Sequence, residues 1–115
     1  MKAITEQDIQ RTILDYLQGV LRWHAWRNNT GAMRWTDRAG GNRLMRFGAT
    51  GSADILGVCC DGRFLAVEVK RPGGRPTEAQ VAWLERVRQS GGVAMVVTSL
   101  EELRQGLSRA GYEVP

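Results

Sequence analysis

The stretch Gly51–Gly74, GSADILGVCCDGRFLAVEVKRPGG, decides how this chain folds. Two apolar runs flank an Asp61-Gly62 pair, the sequence signature of a β-hairpin. Asp54 opens the first run, while Glu68 and Lys70 close the second. Side chains alternate along a strand, so Phe64, Ala66, Glu68 and Lys70 share one face and Leu65, Val67 and Val69 the other. On the first strand Asp54, Leu56 and Val58 share a face. The loop then sets which residues meet. A two-residue loop, Asp61-Gly62, pairs Cys60 with Arg63 and puts Asp54 opposite Val69. A three-residue loop, Cys60-Asp61-Gly62, pairs Cys59 with Arg63 and puts Asp54 opposite Glu68. A slip of one residue flips every side chain to the other face. The three-residue loop with a bulge wants a left-handed residue in third place, where Gly62 stands. The sequence therefore predicts the longer loop, with Asp54 and Glu68 as cross-strand neighbours.

Two carboxylates this close repel and raise each other's pKa. A divalent cation between them relieves that repulsion, and hard oxygen ligands suit Mg²⁺ or Mn²⁺. Lys70, one strand period beyond Glu68, falls at the edge of such a site. There it can orient or deprotonate water, or neutralise developing phosphate charge. The glycine-rich approach RFGATGSAD (residues 46–54) keeps bulk away from the acids and lets backbone come close. Read alone, Glu-x-Lys also fits a solvent-facing strand end, and Asp54 fits turn punctuation.

The remaining sequence frames this hairpin. A length of 115 residues suits one domain, and 43% hydrophobic with 24% charged residues is ordinary globular usage. Thr5 caps a helix running to about Trp23, with Asp8 in the capping-box position and Ile9, Ile13, Leu17 and Val20 as its apolar stripe. Glu6 continues the face of Ile9 and Ile13, although a carboxylate in a first helical turn is favoured by the helix dipole anyway. From His24 to Phe47 the pattern is weak and predicts one or two strands, with loops around Asn28–Gly31 and Ala39–Asn42. Thr77 and Gln80 form the capping box of a second helix that stops at Gly91-Gly92. Val93–Thr98 reads as a buried strand, and Ser99 with Glu102 caps a last helix carrying Leu100, Leu103 and Leu107.

Composition narrows the function. No apolar run approaches the ~20 residues of a membrane span. The start MKAITEQDIQ has no apolar signal-peptide core, which points to the cytoplasm. Cys59 and Cys60 are adjacent, outside any zinc or CxxC spacing, and read as buried thiols. His24 lacks ligand partners. The net charge is +4, which favours an anionic partner. Between Arg22 and Arg46 there are six arginines and one acid, Asp37, together with Trp23, Trp26 and Trp35. The tryptophans read as core. Arginine forks match phosphate geometry, so Arg27, Arg34, Arg38, Arg43 and Arg46, with Arg71 and Arg75, are candidate nucleic-acid contacts.

Glu6 on a first helix, then GSAD, AVEVKRPGG and TEAQ in that order, resemble the VRR-NUC group of the PD-(D/E)XK nucleases from Glu6 to about Thr98. The resemblance implies an α/β restriction-endonuclease-like core, a mixed central sheet flanked by helices in the order α-β-β-β-α-β-α, as a single domain over residues 1–115. It implies that Asp54, Glu68 and the Val69 carbonyl ligate Mg²⁺ or Mn²⁺, that Lys70 is the catalytic lysine, and that Glu6 and Gln80 match further catalytic positions. The Asp of this chain follows Gly-Ser-Ala, where many relatives have Pro-Asp. Without an extra domain, the chain resembles stand-alone, often phage-borne members. Those are similar to Holliday-junction resolvases in DNA repair and recombination and act as homodimers. The implied activity is metal-dependent endonucleolytic hydrolysis of branched or double-stranded DNA, with no small-molecule cofactor and no membrane. The alternative is a nuclease-like DNA-binding module without cleavage.

Overall fold

The computed structural model describes residues 3–29 and 31–115. Helix α1, Glu6–Asp15, begins as the capping pattern requires. Thr5 Oγ1 accepts from the Asp8 N–H, and Asp8 Oδ2 accepts from the Thr5 N–H. Ile9, Ile13 and Leu17 are buried as expected, but Val20 is 54% exposed. A π-helical turn over Tyr16–Val20 explains the departure. Its extra residue, closed by the Leu21 N–H on the Tyr16 carbonyl, rotates the apolar face. Leu21 thereby takes the place against the core that straight helical spacing assigns to Val20.

Strands β1 (His24–Arg27), β4 (Ile55–Val58), β5 (Phe64–Val69) and β6 (Val93–Val97) form a four-stranded sheet in the order β1-β4-β5-β6. The β1/β4 and β4/β5 pairs are antiparallel and β5/β6 is parallel, so the sheet is mixed. Helix α2 (Glu78–Gln89) connects the parallel pair, and α3 (Leu100–Arg109) follows β6. Helices α1 and α3 cover one sheet face, where Ile13, Leu17, Ile55, Leu65, Val67, Leu103 and Leu107 form the main core. Helix α2 covers β5 and β6 on the opposite face through Leu84, over Ala66 and Ala94. This is the expected restriction-endonuclease-like core. The capping box at Thr77/Gln80 and the cap at Ser99 also form as read.

Residues 24–47 depart from expectation. They hold three strands, because β2 (Gly31–Thr36) and β3 (Asn42–Phe47) pair with each other as a separate ribbon. The loops are shorter than expected at their far ends, since Gly31 and Asn42 already begin strands; Thr30 lies outside the described residues. The tryptophans also divide. Trp23 is buried, but Trp26 lies on sheet surface that α2 does not reach, and Trp35 is on the ribbon, so both are exposed. Cys59 is buried as expected, whereas Cys60 is exposed because it belongs to the loop between β4 and β5.

That loop has the predicted form. The register pairs Ile55 with Val67 and Val58 with Phe64. The Cys59 N–H donates to Arg63 and the Gly62 N–H to the Cys59 carbonyl. Gly62 adopts φ +91° with open space around its Cα. Gly51 is also left-handed, at φ +79°, but a Cβ there would stand 2.7 Å from the Ala79 carbonyl oxygen at the start of α2. Gly51→Ala therefore combines a disfavoured backbone with a clash against backbone and should lower stability by about 2 kcal/mol or more. Gly62→Ala meets only the first penalty and should cost about 1 kcal/mol. Urea midpoints at unchanged m-value measure both; equal losses would contradict the packing assigned to Gly51.

Candidate active site

The parallel strands β5 and β6 end at the same edge of the sheet, where open α/β sheets place their ligands. The residues singled out in the hairpin converge there. Asp54 stands one residue before β4, opposite Glu68 by continuation of the register from Ile55 and Val67. Its Oδ2 accepts from the Val69 N–H at 2.8 Å, which fixes the carboxylate at the strand end. The Asn28 N–H donates to the Asp54 carbonyl at 2.7 Å. The Asn28 side-chain amide donates to Ser52 Oγ and to the Ala53 carbonyl. The glycine-rich approach is thus pinned on one side by Asn28 and on the other by the contact of Gly51 with α2.

Glu68 is the one charged residue in the core among the described residues, at 1% exposure. Its Oε1 lies 3.8 Å from Lys70 Nζ, and its buried Oε2 has no hydrogen-bond partner among the described residues. Burial pushes its pKa up, and the adjoining Asp54 carboxylate raises it further, to about 8, against a smaller opposing pull from Lys70. An unpartnered oxygen on a buried acid is costly unless something electropositive meets it.

The Val69 carbonyl completes the group. The Lys70 N–H donates to the Val97 carbonyl on β6. Across a trans peptide the preceding carbonyl points the opposite way, towards the side of Asp54. The donors on that side are therefore two carboxylates and one carbonyl, a hard all-oxygen set of the kind that suits Mg²⁺ or Mn²⁺. No group of three His, Cys, Asp or Glu side chains stands at metal-holding distance among the described residues.

The other candidates fall at varying distances from this pair. Glu6, at the start of α1, accepts from the Arg71 N–H at 3.2 Å and adds a small upward push to the Glu68 pKa, so it borders the site. Gln80 uses its Oε1 on the Thr77 N–H in the capping box. Arg71 and Arg75 are exposed on the loop after β5. Arg27 is exposed at the end of β1, while Arg34, Arg43 and Arg46 lie along the ribbon and Arg38 in its turn. Arg43 is tied to Asp37 at 2.8 Å. Asn28 was missed in the sequence because its role depends on a hydroxyl and a carbonyl brought in from 24 and 25 residues away.

With this geometry in view, the VRR-NUC domain family matches residues 4–101. The chain belongs to the VRR-NUC family. It is thereby a member of the PD-(D/E)XK nucleases, and the motif order read from Glu6 to Thr98 falls inside the matched span. No curated protein and no solved structure matches the chain. No helix among the described residues is long and apolar enough to cross a membrane.

The raised Glu68 pKa has a consequence for the metal-free chain. The folded state keeps a proton that the unfolded state releases from the ordinary carboxylate range, near 4.5, upward. Stability is then fully present below that range and is lost as pH rises through about 8. Urea midpoints in chelator should fall between about pH 5 and pH 8.5, and Glu68→Gln should flatten that fall. An identical pH profile for Glu68→Gln would show that Glu68 does not carry the effect.

Proposed function

We propose that this chain is a divalent-cation-dependent DNA endonuclease, selective for branched duplexes, that hydrolyses the phosphodiester bond with water. The observation that carries the reading is the buried, unpartnered Glu68 Oε2 beside Asp54, with Lys70 at the rim. A buried acid with an unmet oxygen beside a second, half-buried carboxylate is poor packing chemistry but good ligand chemistry. Asp54, Glu68 and the Val69 carbonyl would hold the cation. When bound, it would supply Lewis-acid polarisation of the phosphate and a more acidic water.

The chain's own groups would perform the remaining tasks. Lys70 is half-buried and held to the Glu68 side of the site; it would orient the attacking water or stabilise charge on the phosphate oxygens. Arg71 and Arg75, on the loop leaving β5, would hold flanking phosphates with forked donors. Glu6, fixed on the Arg71 backbone, would keep that loop seated. Cutting two strands symmetrically needs two such sites, and a two-fold homodimer is the simplest way for one chain to provide them. Selectivity for branched DNA is supported by the family resemblance.

Two substitutions separate the assigned roles. Glu68→Ala should lose both plasmid nicking and tight Mn²⁺ binding by calorimetry. Lys70→Ala should lose about 10²–10⁴-fold in single-turnover cleavage while retaining the ion. Undiminished nicking by Glu68→Ala would sink the proposed site, and loss of the ion in Lys70→Ala would show that the lysine has the wrong role.

A further inference from the structure

The β2–β3 ribbon stands apart from the rest of the molecule. No helix or strand packs substantially against it among the described residues. Met33, Trp35, Leu44 and Met45 are exposed along it. It extends the chain to a radius of gyration of 16.1 Å, where a compact domain of this size has about 13 Å. An isolated two-stranded ribbon is marginal in water, so one with strands of six residues and no neighbour implies a partner.

The pairing register sorts its side chains. Directly opposed residues share a face, so Ala32, Arg34, Thr36, Asn42, Leu44 and Arg46 form one face. Met33, Trp35, Arg43 and Met45 form the other, and there the guanidinium of Arg43 is neutralised by Asp37. Residues 31–47 carry four arginines and one aspartate, a net charge of +3. The unneutralised charge therefore sits on the Arg34–Arg46 face and on Arg38 in the turn. The ribbon is also rooted at the candidate site. It leaves through Asn28, which holds Asp54, Ser52 and Ala53, and returns through Gly48–Gly51 to Asp54.

We infer that the ribbon lies in a groove of duplex DNA beside the scissile phosphate, with its Arg34–Arg46 face towards the DNA. This rests on the nuclease reading above and adds the element that grips the duplex. The B-DNA major groove, about 12 Å wide, admits a two-stranded ribbon. Arginine and asparagine present the donors and acceptors that base edges and phosphates take, and Ala32 and Leu44 can meet thymine methyl groups. Six residues per strand span about 20 Å, roughly six base-pair steps.

The test is equilibrium binding of a linear duplex and a four-way junction by fluorescence anisotropy, in chelator so that nothing is cut, over a range of salt. Light scattering is run in parallel. Arg34→Ala with Arg46→Ala should weaken duplex binding at least about tenfold and flatten the log–log salt dependence by about 2. Arg34→Lys with Arg46→Lys should restore the slope, and Met33→Ser with Met45→Ser on the opposite face should leave it unchanged. Wild-type affinity and slope in the double alanine variant would overturn the assignment. So would methionine substitutions that cost as much as the arginine ones, or that dissociate a dimer while the arginine variant binds DNA normally; the ribbon would then be a contact between chains. A wild-type chain that binds no DNA would remove the nuclease reading itself, whereas one that binds and cuts beside an unaffected arginine variant would remove only the ribbon.

Discussion

The structure turns on the placement of one carboxylate. Glu68 is buried at the end of β5 because the register of the β4–β5 hairpin puts it opposite Asp54 and α2 closes over its face. A buried acid with an unmet oxygen opposes folding, so the surroundings must hold it there. The main core on the opposite sheet face, with Leu65, Val67 and Val69 fully buried on the same strand, anchors β5. Asp54 is kept in place by the Val69 N–H, and the approach to it by Asn28 and the close seat of Gly51 on α2. Apolar packing on one side of a strand thus supports strain on the other, a common arrangement at functional sites.

The same constraint explains the proton that Glu68 retains. Burial, and then the neighbouring Asp54 carboxylate, disfavours the charged form of Glu68 and pushes its pKa up. Lys70, 3.8 Å away, contacts Glu68 Oε1 and leaves Oε2 unmet. A proton meets that need at low pH, and under the proposed function a hard cation would meet it at higher pH. The site's stability and its ligand chemistry are therefore two aspects of one electrostatic problem.

Much of this was legible in the sequence because the deciding features are local. Gly62 at the third loop position selects the three-residue turn, and the period of two along each strand then places Asp54 beside Glu68. The caps at Thr5, Thr77 and Ser99 were legible for the same reason, since each spans only three residues. The illegible parts depend on what packs where. The π-helical turn moves Val20 outward, and propensity does not signal an inserted residue. Trp26 and Trp35 are exposed because α2 packs on β5 and β6 and, among the described residues, no helix or strand packs substantially on the ribbon. Residues 31–47 alternate too weakly to announce two strands, because the described strand residues, 31–36 and 42–46, are exposed on both faces of the ribbon. Gln80 serves the cap that its spacing announced, and that spacing alone could not distinguish the cap from a catalytic role.

The most direct test of the account is where a cation sits. Anomalous diffraction from crystals of this chain soaked in Mn²⁺ should show a peak beside Asp54, Glu68 and the Val69 carbonyl, the residues that would hold the ion. Density confined to other surface carboxylates, with Glu68 Oε2 still unmet, would contradict it.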